Sequence, residues 1–277
     1  MAVRDAVGLS AGRYVMTNAA PTAAAMLDAL ADVLDPVSVG ALESSGALAP
    51  GGRCMDVGAG RGTVAAAMAE LVAPGGEVYA VDLDPRHVEP GAGVIAWRAD
   101  VTVPDTLPPG GFDVIHERLL LSHLPARRSI LQHLVGLLNP GGLLVCGNWG
   151  ALGSGMMLSC PDPAGPGLYA RYGKALVEVF AAAGNDTDWQ TGVFAAMREL
   201  GLVNARMSVA AESHPGGTGA CALAFVVSTE LQDKLLAAGL SVEELSELRT
   251  LLMDPQTTVL GNSLFVTVGW KPTNTAD

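Results

Sequence analysis

The chain has 277 residues with a formal net charge of −12, from 16 Lys and Arg against 28 Asp and Glu, and 49% of its residues are hydrophobic. That apolar share is enough to bury a large core and argues against wholesale disorder. Without a Lys/Arg stripe a nucleic-acid partner is not expected, and without an apolar run near ~20 residues neither is a membrane span.

The first eighteen residues show no strong periodicity, although Tyr14 is a candidate lid residue over a ligand. From Pro21 to Leu34, Ala, Met and Leu recur at helical spacing, and a second short helix is expected over Val37–Ser45. Strands and helices then alternate. Arg53–Val57, Glu77–Val81, Val94–Ala99, Phe112–Ile115 and Leu143–Gly147 read as strands, with helices over Thr63–Val72 and Ala126–Leu138. Short apolar strands alternating with helices indicate a parallel sheet buried on both faces, wound in both directions by right-handed crossovers.

After Trp149 the pattern changes. Residues 150–168 are rich in Gly, Pro and Ser and read as a long loop. Helices follow over Tyr169–Ala183 and Trp189–Leu200, and two late strands over Ala205–Ala211 and Leu264–Trp270. Between those strands lie an apolar stretch, Ala220–Val227, and a helical run, Glu230–Met253. The chain thus divides into a helical segment 1–48, a core 50–149, and insertions at 150–185 and 212–262 within one domain, 1–277.

The chemistry concentrates in Asp56-Val57-Gly58-Ala59-Gly60-Arg61-Gly62, a strand end that turns on glycines into a helix. Glycines permit a tight turn and close approach of a ligand. The helix N-terminus adds N–H groups and positive potential suited to a carboxylate or phosphate. A pyrophosphate fingerprint, G-x-G-x-x-G, is not met, because position 63 is Thr. Asp82 closes the next strand 26 residues after Asp56, where a carboxylate can accept both hydroxyls of a ribose. Asp84 is an alternative at the same strand end.

Taken in order, Asp56–Gly62, Asp82, Ala99-Asp100, Phe112-Asp113-Val114-Ile115 and Leu138-Asn139-Pro140-Gly141-Gly142 resemble the successive motifs of class I S-adenosylmethionine-dependent methyltransferases. The narrower likeness is to small-molecule methyltransferases of actinobacterial secondary metabolism. The resemblance implies a Rossmann-like α/β fold with a mostly parallel seven-stranded sheet and helical cap insertions. It implies S-adenosylmethionine as cofactor, with Gly58, Gly60 and Gly62 under its methionine part and Asp56 fixing the amino group directly or through water. Asp82 would hold the ribose, Leu83 the adenine face, and Asp100, beside Val101, the exocyclic amine. The backbone near Glu117 would receive the ammonium, while Arg118 either helps or holds the strand end in place.

His123 is the candidate base, since an unperturbed imidazole titrates near neutrality; a structural hydrogen-bonding role is the alternative. Asn148 and Trp149 follow the fifth strand and should face the acceptor, Trp149 either stacking on it or covering the core, while Tyr14 either lies over the cofactor or docks the terminus. His116 reads as packed, Arg61 as either a carboxylate ligand or a solvated side chain, and Asp113 as a strand-start residue. No metal is expected, because Asp162, Asp186 and Asp188 lack ligand-like spacing. Four scattered cysteines and the absence of a secretory leader fit reduced thiols in a cytoplasmic protein. The expected partner is a small-molecule acceptor, with a homodimer left open.

Overall fold

The computed structural model describes residues 23–89 and 91–273, so Tyr14 lies outside the described residues. Helix α1 (Ala23–Ser45) leads into strand β1 (Arg53–Val57), helix α2 (Thr63–Leu71), β2 (Glu77–Asp82), β3 (Val94–Arg98), β4 (Phe112–Arg118), α3 (Arg127–Leu137) and β5 (Leu138–Asn148). Then come β6 (Met156–Ser159), α4 (Gly165–Ala182), α5 (Trp189–Glu199), β7 (Val203–Ala210), β8 (Ser213–Pro215), α6 (Gly219–Glu230), α7 (Gln232–Ala237), α8 (Val242–Met253), β9 (Thr258–Leu260) and β10 (Leu264–Trp270).

Seven strands form one sheet in the order β3-β2-β1-β4-β5-β10-β7. The first five run parallel, and β10 lies antiparallel between β5 and β7. This is the doubly wound sheet expected from the alternation, and the mostly parallel seven-stranded one that the resemblance implies. Successive strand residues face opposite layers. Cys54, Val114 and Val145 pack with Leu34 and Leu42 of α1 and Val64 and Met68 of α2. Met55, Ile115, Leu144 and Cys146 pack on the other face with Leu131 and Leu134 of α3 and Val193 and Met197 of α5.

A third core joins α4, α6, α7 and α8 through Tyr172, Leu235, Leu248 and Leu252, and it takes in Met26 and Ala29 of α1. Helix α1 therefore belongs to both the helical cap and the sheet layer. Helix α8 begins on a capping box, in which Ser241 Oγ accepts from Glu244 N at 3.1 Å and Glu244 Oε2 accepts from Ser241 N at 2.8 Å.

The structure departs from the sequence reading in four places. α1 is one helix that runs through Pro36, instead of two. Proline there removes a backbone bond and crowds the preceding turn, but buried residues on both sides hold the helix. The expected loop 150–168 contains β6 and the start of α4, and β6-β9-β8 is a small antiparallel sheet. The run Glu230–Met253 divides into α7 and α8, with α6 preceding them. Strand β5 begins at Leu138, and the Asn139–Gly142 turn is folded into it, shifting the β4–β5 register between Phe112 and Val114.

Cys54, Cys146 and Cys221 are buried, Cys160 is partly exposed, and none is in a disulfide. Burial pushes the Cys54 thiol up to about 12, which suits an inert core residue. Among the described residues no helix is long and apolar enough to cross a membrane.

Phe112 is fully buried, edge-on to Tyr79 at 5.7 Å and covered by the Arg53 guanidinium at 4.4 Å. Phe112→Ala is expected to lower the unfolding free energy by about 3–5 kcal/mol, measured by urea titration. A loss under ~1 kcal/mol would mean the layer refills the space.

Candidate functional site

The carboxyl ends of β1, β2, β3, β4 and β5 meet along one edge, where ligands bind in open α/β sheets. Val57 pairs with Val81, so the Gly58 turn lies beside Asp82. The Val81 carbonyl accepts from Gly58 N at 2.8 Å and from Ala59 N at 3.0 Å. Asp82 Oδ2 accepts from Gly60 N at 3.0 Å, and its Oδ1 accepts from Asp84 N at 2.9 Å. Gly58, Gly60 and Gly62 have φ of +75°, +56° and +77°. A Cβ at these positions would lie 3.3 Å from Leu120, 3.2 Å from Leu27 and 3.0 Å from Val88 respectively. The handedness favours glycine, and a side chain would also need these neighbours to give way.

The two candidate ribose ligands differ in surroundings. Burial, the largest influence, pushes the Asp82 carboxyl up, opposed by its bonds from Asp84 N and Gly60 N. Arg86, at 2.7 Å, holds Asp84 below the usual carboxylate range, with Arg98 at 3.6 Å helping. Leu83 between them is exposed. Asp100 follows β3, and its Oδ1 accepts from Thr102 N at 2.9 Å and Thr102 Oγ1 at 2.6 Å. Val101 is partly buried against the core that includes Val81 and Ala99.

The glycine turn opens into α2, whose N-terminus has no side-chain cap, leaving its first turn suited to an anionic group. These features fit S-adenosylmethionine: a glycine turn in the left-handed region that opens onto a helix N-terminus, a carboxylate beside it, and a second acid at the next strand end.

The end of β4 distributes its polar residues between both layers. His116 Nδ1 and Asp56 Oδ1, both buried, are 2.8 Å apart across β1 and β4. Asp56 therefore spends one oxygen on a histidine, a pairing absent from the sequence reading. Arg118 donates to Asp35 Oδ1 at 2.8 Å and to Ser38 Oγ at 3.1 Å. Of its two expected roles, this geometry is the one that holds the strand end, through α1. Glu117 is fully buried, and its Oε1 accepts from Asn148 Nδ2 at 3.3 Å. Asn148 Oδ1 and Trp149 Nε1 are buried and have no hydrogen-bond partner among the described residues.

Next to this edge, Gln190 of α5 is fully buried with both side-chain polar atoms unpartnered among the described residues. Its amide packs where a side chain at Gly150 would stand. Nothing in the local sequence pointed to Gln190, because only the chain reversal after Trp149 brings it there.

His123 lies in a short 3-10 turn, Leu121–His123. Its ring is 5.9 Å from that of Phe180, and the Asn185 side chain bonds to it. Burial pushes its pKa down. Arg61 pairs with Asp28 at 2.5 Å and Glu89 at 2.6 Å, which answers its two open readings with an ion-paired one. These three residues border a cleft of about 500 Å³ between α1 and α2. Another cleft, of about 460 Å³, lies between the starts of α3 and α5. Among the described residues no group of three or more His, Cys, Asp or Glu could hold a metal ion.

Comparison with known proteins agrees with this geometry. Residues 55–144 match the family described as a methyltransferase domain. Methyltransferase str2 of Strobilurus tenacellus is 35% identical over 94 residues, 34% of this chain and 34% of that protein. Nocamycin O-methyltransferase of Saccharothrix syringae is 32% identical over 101 residues, 34% of this chain and 36% of that protein. The chain thus spans about a third of the length of these two relatives. A crystal structure of a candidate methyltransferase from Bacillus halodurans C-125 superposes with a TM-score of 0.52 at 17% identity, covering 85% of this chain and 99% of that one. That likeness establishes a shared fold.

Arg118→Met removes both contacts to α1 and is expected to cost about 1–3 kcal/mol of stability. Combined with Asp35→Ala in a double-mutant cycle, it should give a coupling above ~0.5 kcal/mol. A smaller coupling would remove this pair as the anchor of α1.

Proposed function

We propose, from the premise that this chain belongs to the class I S-adenosylmethionine-dependent methyltransferases, that it moves a methyl group from S-adenosylmethionine to a small-molecule acceptor. The observation that carries this reading is the bond from Gly60 N–H to Asp82 across the carboxyl edge. It sets a carboxylate beside a glycine turn that leads into a helix N-terminus. When bound, the cofactor supplies an electrophilic methyl group on a sulfonium.

The protein's part is then largely orientation, since in-line attack needs the acceptor atom held ~3 Å from the methyl. Gly58, Gly60 and Gly62 let the methionine part approach the backbone, and the α2 N-terminus favours its carboxylate. Asp82 holds the ribose hydroxyls, with Leu83 and Val101 flanking the adenine and Asp100 accepting from its amine. The backbone of Glu117 takes the ammonium, while Arg118 acts on α1. Asn148 and Trp149 bound the acceptor side. His123 is the side chain proposed to take a proton from the acceptor, and its burial favours the neutral ring that this requires.

The insertions 150–185 and 212–262 and the segment 1–48 are proposed as the roof of the acceptor site. Oxygen is the preferred acceptor atom and secondary metabolism the setting, supported by the O-methyltransferase from Saccharothrix syringae. Four free thiols fit a reducing compartment such as the cytoplasm.

Calorimetry with S-adenosylhomocysteine tests donor binding, and absence of heat with the wild-type protein would end the proposal. Asp82→Ala is expected to weaken binding by about 1.5–3 kcal/mol, roughly 10- to 150-fold, whereas Asp84→Ala should change it by less than ~3-fold. The reverse ranking would transfer the ribose to Asp84. Transfer of label from methyl-labelled donor into a small-molecule product, followed by mass spectrometry, separates catalysis from binding alone.

A further inference from the structure

The reading above uses only the backbone of Glu117, yet its side chain is the least expected group on this edge. It is fully buried and makes no ion pair with Lys or Arg among the described residues. Burial pushes its carboxyl up, against the Cys146 thiol, His116, Leu121 N–H and Asn148, all of which favour the charge. A buried acid without a cation is costly, and its retention asks for a role.

Its contacts supply one. Oε2 accepts from both Leu120 N and Leu121 N at 3.4 Å, one oxygen shared between two donors, while Asn148 occupies Oε1. The segment so held starts at Leu119, which has φ +54°. That left-handed conformation is unfavourable for a residue with a Cβ. Leu119 N also donates to Gly147 O at 2.8 Å, so the reversal is tied to β5. Leu120 then lands on the glycine turn, 3.3 Å from the position a Cβ at Gly58 would take. The strained reversal thus packs beside the glycine turn proposed for the donor.

We propose that the Glu117 side chain is a positioning residue that clamps the Leu119–Leu121 reversal against Gly58 and so shapes the donor side of the site. This rests on the donor-binding reading above. Glu117 acts through the two N–H groups it receives, so its hydrogen-bond geometry matters more than its charge.

The test compares Glu117→Ala, Glu117→Gln and the double variant Glu117→Ala/Leu119→Gly. Amide hydrogen exchange of the peptide spanning residues 118–123, followed in the protein alone, should accelerate in Glu117→Ala. It should return towards wild type in Glu117→Gln, whose amide oxygen still accepts. S-adenosylhomocysteine affinity should fall about tenfold in Glu117→Ala and stay within ~3-fold of wild type in Glu117→Gln. Glycine at 119 relieves the strain, so the double variant should recover part of the lost affinity even if Glu117→Ala alone folds poorly.

Unchanged exchange in Glu117→Ala would overturn the proposal. So would affinity in Glu117→Gln as low as in Glu117→Ala, since that places the effect in the charge. A double variant no tighter than Glu117→Ala would also overturn it, because it removes the strain argument. If the wild-type protein binds no S-adenosylhomocysteine, the donor-binding reading fails, and the exchange comparison still decides whether Glu117 holds the reversal.

Discussion

Three missing Cβ atoms organise the carboxyl edge of this protein. Because Gly58, Gly60 and Gly62 have no side chains, three separate segments converge on one turn: Leu120 after β4, Leu27 from α1 and Val88 after β2. The same turn exposes Gly60 N–H to Asp82. A side chain at any of the three would meet both a disfavoured backbone region and a neighbour at 3.0–3.3 Å. Local sterics therefore set the distance between the sheet, α1 and the β4–α3 connection, and burial of the surrounding leucines and valines follows from that approach.

Helix α1 is what carries this constraint into the rest of the molecule. Its Asp28 takes Arg61 out of the glycine turn, and its Asp35 and Ser38 take Arg118 from the end of β4. Asp35 and Arg118 are mostly screened from solvent, with side-chain exposures of 21% and 15%, so removing one partner should cost more than breaking a surface bridge. Met26 and Ala29 on the same helix pack into the cap core with Tyr172 and Leu248. The cap is thereby positioned relative to the sheet by one helix that serves both, and a break at Pro36 would separate the two.

The sheet was legible because its signals are local. β1 and β10 have the bounds that their apolar runs suggest, and glycine or proline turns mark most of the other ends. The glycine cradle and Asp82 are legible for the same reason. The continuity of α1 was not, because Pro36 is a local breaker whose cost is offset by contacts with residues about 80 positions away. β6, β8 and β9 have three or four residues each, too few for alternation to register. The Asp56–His116 pair and the Glu117–Asn148 contact arise from strand register, 60 and 31 residues apart. A sequence shows which of these residues are polar, but only the pairing of β1, β4 and β5 shows that they meet.

The same pairings give the edge an electrostatic character suited to the chemistry proposed for it. Asp82 lies on the edge beside Asp56, which is paired to a histidine, while Glu117 is spent on the N–H groups of Leu120 and Leu121. The nearby guanidinium groups of Arg61 and Arg118 are committed to carboxylates of α1. A carboxylate at Asp82 whose neighbouring cations are paired elsewhere favours a ligand that carries positive charge. On the proposed reaction the donor enters with a sulfonium and leaves without it, so the edge attracts the donor more strongly than the spent cofactor. Such a difference would act on the charged form alone and would oppose accumulation of product in the site without any additional moving part. α1 therefore does two jobs through the same helix, anchoring the cap and pairing the arginines next to the edge proposed for the donor.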